Sequence, residues 1–313
     1  MGARKPRVGR RVNEQSGGQP GLVIAHHGQT SLVQDDRGEH YRCSTRKKLP
    51  RTVCGDRIHW RASSPREGVI TAILERKTIL LRPDHHNRIR PVAANMDQIV
   101  VVIACKPSFE YIMLDSYLVA AELIGATPVI VVNKSDLLDN RSRRKLEQRL
   151  SIYTGIGYPL LFISTHSTDG LKALHQQLKG HTSILVGQSG VGKSSLIQAL
   201  LPDLNIRVGS LSQVTGLGRH TTTVAMLYHL PDGGDLIDSP GVRDFSPADV
   251  GVETLHRGFR EFRSYLGQCR FHNCRHTGEP GCAIQDAARK GEISQQRLDN
   301  YRQLVTGAEA GRR

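Results

Sequence analysis

A glycine-rich stretch at residues 187–194, GQSGVGKS, restricts the possible folds of this chain more than any other segment. It follows a run of apolar and β-branched residues, TSILV, and precedes a helix-like stretch, SSLIQALL. This is the G-x-x-x-x-G-K-[ST] pattern in the strand–loop–helix context that it requires, because glycines let backbone N–H groups wrap phosphate oxygens while the helix points its positive end at them. An ordinary glycine-rich turn rarely also places Lys-Ser at a helix start. The stretch therefore predicts a phosphate-binding loop.

Two side chains of this loop have predicted roles. Lys193 is expected to reach the β- and γ-phosphates of a nucleotide, and Ser194 is expected to offer its hydroxyl to Mg²⁺. The predicted phosphate-binding residues are Gly187, Gln188, Ser189, Gly190, Val191, Gly192, Lys193, Ser194 and Ser195.

The middle of the chain, residues 96–250, alternates between strand-like and helix-like segments. Its continuous β-branched runs, IVVVIAC, PVIVVNK, PLLFIS and TSILVG, are typical of strands buried on both faces of a parallel sheet. The segments between them, YIMLDSYLVAAELIG, RSRRKLEQRLSIY and GLKALHQQL, have helical length. We therefore predict an α/β domain with helices on both faces of its sheet.

The motif NKSD, residues 133–136, follows the predicted strand PVIVV, and strand ends collect ligands in open α/β sheets. A carboxylate at Asp136 accepts from both the ring N–H and the exocyclic amine of guanine, a pair of donors that adenine does not offer. Another predicted strand ends at ISTHS, whose backbone N–H groups are expected to reach the guanine carbonyl. The alternative for Asp136 is a simple helix cap. The predicted base pocket comprises Asn133, Lys134, Ser135, Asp136, Ser164 and Thr165.

The motif DSPG, residues 238–241, follows the predicted strand GDLI and fits the D-x-x-G element, in which Asp238 supports the Mg²⁺ shell and Gly241 offers its N–H to the γ-phosphate. The threonine run at residues 221–223 is expected to supply a second hydroxyl ligand to Mg²⁺ when a triphosphate is bound. We assign this role to Thr222, although the pattern does not choose among the three, and an exposed threonine-rich strand entry is the alternative.

The residue after D-x-x-G is Val242, where the best-known GTPases carry a glutamine that positions water. A valine side chain neither donates nor accepts, so hydrolysis by the isolated chain is expected to be slow. His220, beside the threonine run, is the candidate for orienting water once the loop closes, and an ordinary loop histidine is the alternative.

Cysteine and histidine cluster in CRFHNCRHTGEPGC, residues 269–282. Three thiolates and one imidazole form a full tetrahedral set for Zn²⁺, and a filled set leaves no position for activating water, so the site is expected to be structural. The alternatives are that His272 replaces His276, or that the cysteines stay metal-free in a small helical core. The predicted zinc ligands are Cys269, Cys274, His276 and Cys282. The other three cysteines are predicted to be small buried hydrophobic residues, namely Cys43, Cys54 and Cys105.

The charge balance indicates a polyanionic partner. The chain has 43 Lys and Arg against 29 Asp and Glu, a formal net charge of +14, which favours nucleic acid over a merely solvated surface or an anionic membrane. Residues 1–20 form a basic arm without the apolar core of a secretory signal, and the longest apolar stretch, residues 99–105, is too short to cross a bilayer. In residues 21–95, short apolar runs with interleaved cations predict a small β-barrel that either binds nucleic acid or merely packs.

The order of the motifs is circularly permuted, because NKSD and ISTHS precede the phosphate loop whereas a standard GTPase begins with that loop. The sheet can still form, since strand adjacency rather than chain order builds the pocket. The chain resembles the bacterial small-subunit-dependent GTPase family known as RsgA or YjeQ. The resemblance rests on four motifs in this order, with a predicted barrel before them and a Cys-rich segment after them: NKSD, GQSGVGKSS, GRHTTT and DSPGVRDF.

The resemblance covers nearly the whole chain apart from its ends. It implies an α/β protein with an OB-fold barrel at residues 21–95, a circularly permuted P-loop GTPase domain at 96–250 and a mostly helical zinc-binding domain at 251–313. It further implies hydrolysis of GTP to GDP as a switch in late maturation of the small (30S) ribosomal subunit, with 16S rRNA as partner, one structural Zn²⁺ at the four predicted ligands, and Mg²⁺ bound with GTP. We expect a cytoplasmic monomer without a membrane segment.

Other function classes fit the residues less well. An RNA-binding module with a relic nucleotide pocket is disfavoured by the intact Lys193, Ser194 and Asp238. A zinc hydrolase is disfavoured by the closed ligand set. A metallochaperone GTPase would require the cysteine cluster to exchange its metal readily.

Overall fold

The computed structural model describes residues 18–83, 88–203, 224–239 and 252–310. Most of the predicted basic arm, residues 1–17, lies outside this part. Along the chain the strands are β1 (Gln19–His27), β2 (Thr30–Gln34), β3 (His40–Thr45), β4 (Arg57–Ser64), β5 (Glu67–Ile73), β6 (Ile79–Pro83), β7 (Ile89–Ala94), β8 (Gln98–Ala104), β9 (Thr127–Asn133), β10 (Leu160–Phe162), β11 (Thr182–Val186), β12 (Met226–His229) and β13 (Asp235–Asp238). The helices are α1 (Tyr111–Ile124), α2 (Asn140–Gly155), α3 (Thr168–Leu178), α4 (Lys193–Leu200), α5 (Val252–Leu255), α6 (Ala283–Arg289) and α7 (Gln295–Ala310). Short 3₁₀ segments occupy Ser135–Leu137, His256–Gly258 and Arg260–Tyr265.

Strands β1 to β5 form a closed barrel in the order β1–β2–β3–β5–β4, and β4 pairs back with β1. Strands β3 and β5 run parallel, and the other pairs run antiparallel. Trp60 fills the barrel and is fully buried. A Cβ atom at Gly68 would lie 2.5 Å from the Trp60 ring, so glycine there lets the indole lie against strand β5. The predicted OB-fold barrel is confirmed.

The segment after the barrel forms a hairpin of its own, in which β6 and β7 pair antiparallel as a two-stranded sheet. Asn95 ties its end to the barrel, because the Asn95 Nδ2 donates to the Gly55 carbonyl at 2.9 Å and its Oδ1 accepts from the Lys77 N–H at 2.9 Å. The hairpin therefore connects the barrel to strand β8.

The α/β domain has the strand order β10–β9–β8–β11–β13–β12, parallel except for β12. All seven residues of β8 are buried. Its residues alternate between two cores, because Ile99, Val101 and Ile103 pack with α1, while Val100 and Val102 pack with α3 and α4. The predicted parallel sheet with helices on both faces is confirmed.

One seam joins the barrel to the α/β sheet. Strand β1 pairs with β12 through Ala25 and Met226, which makes the described strands of the two units a single continuous sheet of eleven strands. Strand β12 begins at Met226, three residues after the end of the predicted threonine run, so the barrel is hydrogen-bonded to the first strand after that run.

The C-terminal module consists of α5 to α7 and two 3₁₀ segments around a core that includes Phe259, Phe262 and Tyr301. It packs on α1, whose Val119 belongs to this core while Leu118 belongs to the core of the sheet. Helix α1 therefore lies between two hydrophobic cores. The helices α5 to α7 confirm the predicted, mostly helical C-terminal module.

A buried ion network holds this module to α1. Arg297 on α7 and Asp115 on α1 are both fully buried, with a 2.6 Å distance between Nη1 and Oδ1. Arg297 also pairs with Glu261 at 2.7 Å, and Asp115 accepts from Asn300 at 2.6 Å and from the Tyr153 hydroxyl at 2.7 Å. Each charge has an opposite partner and further hydrogen bonds, as burial requires.

No helix within the described ranges has the length and apolar character that a membrane crossing needs.

Candidate nucleotide and metal sites

The predicted phosphate loop connects β11 to α4, and Lys193 is the first residue of that helix. Val191 is buried and fixes the loop to the core, whereas Ser194 and Ser195 lie exposed in the first turn of α4. The Lys193 ammonium lies over the loop and donates to the carbonyls of Gly187 at 2.5 Å and Gln188 at 2.6 Å. The structure thus places a cation and the N-terminus of a helix at the same loop, as phosphate binding requires.

The NKSD motif contacts this loop directly. Asn133, buried at the end of β9, donates from Nδ2 to the Val191 carbonyl at 2.9 Å. The Lys134 ammonium donates to the Gly190 carbonyl at 2.7 Å and to the Lys106 carbonyl at 3.0 Å. Asn133 and Lys134 therefore brace the phosphate loop through hydrogen bonds to its main-chain carbonyls.

The contribution of Lys106 is not evident from the sequence pattern. It takes part through a main-chain carbonyl, for which no residue type is diagnostic. Its position just after β8, at the edge where strand ends meet, is the only signal.

The base segment and the ISTHS segment lie together. The Ser135 N–H donates to the Ile163 carbonyl at 3.0 Å. A hydrogen bond from the buried Ser164 hydroxyl lowers the pKa of Asp136, which is exposed on the 3₁₀ segment Ser135–Leu137. Asp136 is thus an ionised acceptor facing solvent, and Thr165, half-buried, follows Ser164 in the adjacent loop.

Asp238 ends strand β13, which runs parallel to β11 with Ile237 opposite Ile184. Since the carboxyl ends of parallel strands meet at one edge of a sheet, Asp238 lies at the edge where the phosphate loop begins. Burial raises the pKa of Asp238. A carboxylate whose charge is poorly solvated gains from a nearby cation, so Asp238 fits the predicted Mg²⁺ shell.

The remaining residues predicted around the γ-phosphate lie outside the described residues. They are His220, Thr222, Gly241 and Val242.

The four predicted zinc ligands converge. Their ligand atoms all lie within 4.8 Å of one another, and the His276 Nδ1 is 3.5 Å from the Cys269 Sγ and 3.4 Å from the Cys282 Sγ. Tetrahedral zinc with Zn–S bonds of about 2.3 Å and Zn–N bonds of about 2.0 Å separates its ligand atoms by roughly 3.5–3.8 Å. The cluster of Cys269, Cys274, His276 and Cys282 can therefore hold a metal ion, and the alternative ligand His272 is exposed outside it.

Glu279 stabilises the chain between these ligands. Its carboxylate accepts from the backbone N–H groups of Arg275 at 2.9 Å, Thr277 at 2.9 Å and Gly278 at 3.1 Å. Partial burial opposes ionisation, but these hydrogen bonds outweigh it and lower the pKa of Glu279 to about 2. The carboxylate thus anchors the turn as a permanent anion.

Five arginines lie between residues 257 and 275, and three of them pair with carboxylates. Arg260 and Arg263 pair with Glu122 on α1 at 2.7 and 2.6 Å, and Arg275 pairs with Glu309. These three therefore hold the module together or hold it to α1. Arg257 and Arg270, like Arg263 and Arg275, are exposed residues.

Together these features define a circularly permuted P-loop GTPase joined to an OB-fold barrel and to a helical module whose cysteine and histidine cluster can hold a metal ion. The family model described as RsgA GTPase matches residues 73–248, more than half of the chain.

Known GTPases are similar in sequence to this chain over nearly its full length. The small ribosomal subunit biogenesis GTPase RsgA of Pseudomonas putida is 49% identical over 291 residues, which are 92% of this chain and 85% of that protein. The protein of the same name from Pseudomonas aeruginosa is 46% identical over 304 residues, 96% of this chain and 90% of its own. The chain belongs to the RsgA GTPase family, as the motifs predicted.

Solved structures show the same architecture. YjeQ from Thermotoga maritima superposes with a TM-score of 0.78 at 33% identity, covering 93% of this chain and 98% of its own. YloQ, described as a circularly permuted GTPase, superposes with a TM-score of 0.76 at 28% identity, covering 96% and 98%. The permuted fold is therefore shared across the full assembly of barrel, GTPase domain and C-terminal module.

Proposed function

We propose that this chain hydrolyses GTP to GDP and phosphate as a switch in late maturation of the small (30S) ribosomal subunit. One observation carries the proposal: Asn133 and Lys134 bond to the phosphate loop, which fixes the guanine-selecting Asp136 relative to the phosphates. The names of the relatives supply the ribosomal context.

The residue roles follow from this arrangement. Lys193 and the loop N–H groups bind the phosphates, Asp136 accepts from guanine, and the hydroxyls of Ser194 and Thr222 with Asp238 hold the Mg²⁺ that enters with GTP. When bound, Mg²⁺ neutralises charge between the β- and γ-phosphates. The proposed GTP-binding residues are Asn133, Lys134, Ser135, Asp136, Ser164, Thr165, Gly187, Gln188, Ser189, Gly190, Val191, Gly192, Lys193, Ser194, Ser195, Asp238 and Gly241.

In the C-terminal module, we assign one structural Zn²⁺ to Cys269, Cys274, His276 and Cys282. Three thiolates with one imidazole favour zinc among common ions, and the complete set leaves no site for a reactive water. His276 and Cys282 are only 4% and 1% exposed, which disfavours the ready exchange that a metallochaperone needs.

The partner is 16S rRNA of the small subunit, which places the protein in the cytoplasm, where it acts as a monomer. The net charge of +14 and an exposed basic surface of the barrel support contact with a polyanion. That surface includes the exposed cations Arg42, Arg46, Lys47, Lys48 and Arg51.

The test is GTP hydrolysis with and without purified small subunits. Because Val242 cannot position water, the isolated chain should be slow, approaching roughly 10⁻⁴–10⁻³ s⁻¹. Small subunits should raise kcat at least tens-fold, which corresponds to about 2 kcal/mol of barrier. If the rate without small subunits equals the rate with them, the proposed function as a switch is wrong.

A variant tests the proposed role of His220 in orienting water. His220→Ala should lose most of the stimulation while GTP affinity stays unchanged. His181→Ala, which removes an exposed loop histidine elsewhere, is the control and should keep full stimulation. Full stimulation in His220→Ala would remove the histidine's role and leave the switch intact.

A further inference from the structure

The metal cluster carries a tight turn at its tip, residues 271–274, which we call the apical turn. The Cys274 N–H donates to the Phe271 carbonyl at 3.2 Å and closes the turn. On the other side, the Arg270 N–H donates to the Gly281 carbonyl at 2.9 Å. Of the proposed metal ligands, Cys269 lies two residues before the turn and Cys274 is its last residue, so the backbone is held at both ends.

The apical turn presents an aromatic ring to solvent. Phe271 is 41% exposed, and it is the only aromatic residue among the large exposed hydrophobic residues of the described part. In the same module Phe259 and Phe262 are fully buried, so the core does not need this ring. The Arg270 guanidinium lies 5.5 Å from the centroid of the Phe271 ring.

The charge around the ring is positive. Glu279 is the only carboxylate in residues 269–282, and it is turned inward onto three backbone N–H groups. His272 and Asn273, beside the ring, are exposed polar side chains. An exposed aromatic ring with a neighbouring guanidinium, in a segment whose one carboxylate is turned inward, is complementary to a nucleobase and its phosphate.

We propose that Phe271 stacks on an unpaired base of RNA while Arg270 contacts the adjoining phosphate. This rests on the proposed function, because the RNA is that of the small subunit. Aromatic side chains bind unpaired bases of any sequence through their faces. Since the turn is already fixed, little conformational entropy is lost on binding.

The experiment uses the full chain with two probes, purified small subunits and their deproteinised RNA. Phe271→Ala should weaken binding to both by about five- to a hundred-fold, the loss expected for one stacked base. Phe271→Trp should bind within about twofold of wild type, because the larger ring still stacks. Metal content and basal GTP hydrolysis should be unchanged in both variants, since Phe271 is neither a proposed metal ligand nor a core residue.

Phe271→Leu is the matched control, because it keeps an apolar side chain but has no aromatic face. It should resemble the alanine variant. If the leucine variant binds small subunits as well as the tryptophan variant does, the side chain acts only as an apolar group against a ribosomal protein, and the proposal is overturned.

Two other results separate this inference from the proposed function. If wild type binds and Phe271→Ala binds equally well, only the inference fails. If wild type binds neither small subunits nor their RNA, the inference and the ribosomal role fail together.

Discussion

Asp136 combines exposure to solvent with a hydrogen bond from a buried hydroxyl, and this combination suits a carboxylate that accepts from a bound base. Asp136→Asn should weaken the binding of GTP by about 1–3 kcal/mol per unpaired guanine donor. The variant should instead prefer to bind xanthosine triphosphate, whose ring carbonyl accepts a hydrogen bond from an amide. Calorimetric titration with both nucleotides measures the change.

Asp139→Asn is the matched control. Asp139 is a nearby exposed carboxylate whose Oδ1 accepts from the Ser142 N–H at 2.7 Å at the start of α2. Asparagine caps helices as well as aspartate does, so this variant should keep both folding and preference for GTP. Equal GTP affinity in wild type and Asp136→Asn would refute the assignment.

Gly192 is a residue of the phosphate loop that lies beside the Asn133 side chain. Its φ is +95°, and a Cβ atom there would collide with the Asn133 amide nitrogen. Gly192→Ala should therefore break the hydrogen bond from Asn133 to Val191 and reduce GTP affinity at least about tenfold, in addition to about 1–2 kcal/mol of backbone strain.

Gly125→Ala separates strain from collision. Gly125 has a similar φ of +82°, but no atom lies within 4 Å of its added Cβ. This variant should lower the free energy of unfolding by a similar strain while leaving GTP affinity unchanged. Equal GTP affinities for the two variants would contradict the bracing role of Asn133.

Single residues were predictable where a short pattern has a fixed geometry. The positions of Asn133, Lys134 and Lys193 around one loop follow from motifs in which spacing and strand–loop–helix context coincide. The support from Lys106 was not predictable, because a main-chain carbonyl leaves no mark in the sequence.

Among the elements, α1 is held by charges from a distant part of the chain. Arg297→Met should destabilise the protein by about 3–5 kcal/mol, because Asp115 is left as an uncompensated buried charge. Urea unfolding followed by circular dichroism measures the loss.

Two further variants show whether charge is the cause. Adding Asp115→Asn to Arg297→Met should restore part of the stability, because the buried anion is then removed. Arg302→Met, on the same helix but paired at 3.1 Å with Asp299, whose side chain is half exposed, should cost at most about 1 kcal/mol. A loss for Arg297→Met no larger than that for Arg302→Met would show that the buried network contributes little.

The elements themselves were largely predictable, and their long-range partners were not. The continuous apolar run of β8 predicts burial on both faces because each face needs apolar residues. The pairing of Asp115 with Arg297 joins helices far apart in the chain, and neither residue has a local signature. For the same reason, the seam between β1 and β12 has no signal in either strand.

At the scale of the whole molecule, we expect the proposed zinc site to stabilise the C-terminal module. Cys274→Ser should lower the zinc content from about one ion per chain and reduce the thermal stability of the C-terminal module, because metal binding and folding are coupled. Metal analysis and thermal unfolding measure both effects.

Cys43→Ala is the control, because Cys43 is a fully buried cysteine of the barrel, far from the cluster in sequence. Its zinc content should equal that of wild type. Full zinc content and an unchanged unfolding temperature in Cys274→Ser would contradict the ligand set.

The seam between β1 and β12 also constrains how the chain is synthesised. Ala25 and its partner Met226 are separated by about two hundred residues, so at roughly 5–20 residues per second the ribosome needs about 10–40 s to make the second strand after the first. Strands β1 to β5 contain the closed pairing of the barrel and can form it within the nascent chain. The outer edge of β1 near Ala25 then stays unpaired during translation, and an unpaired strand edge is a template for wrong partners. This edge of β1 therefore has to stay free of other partners for that time before β12 can pair with it.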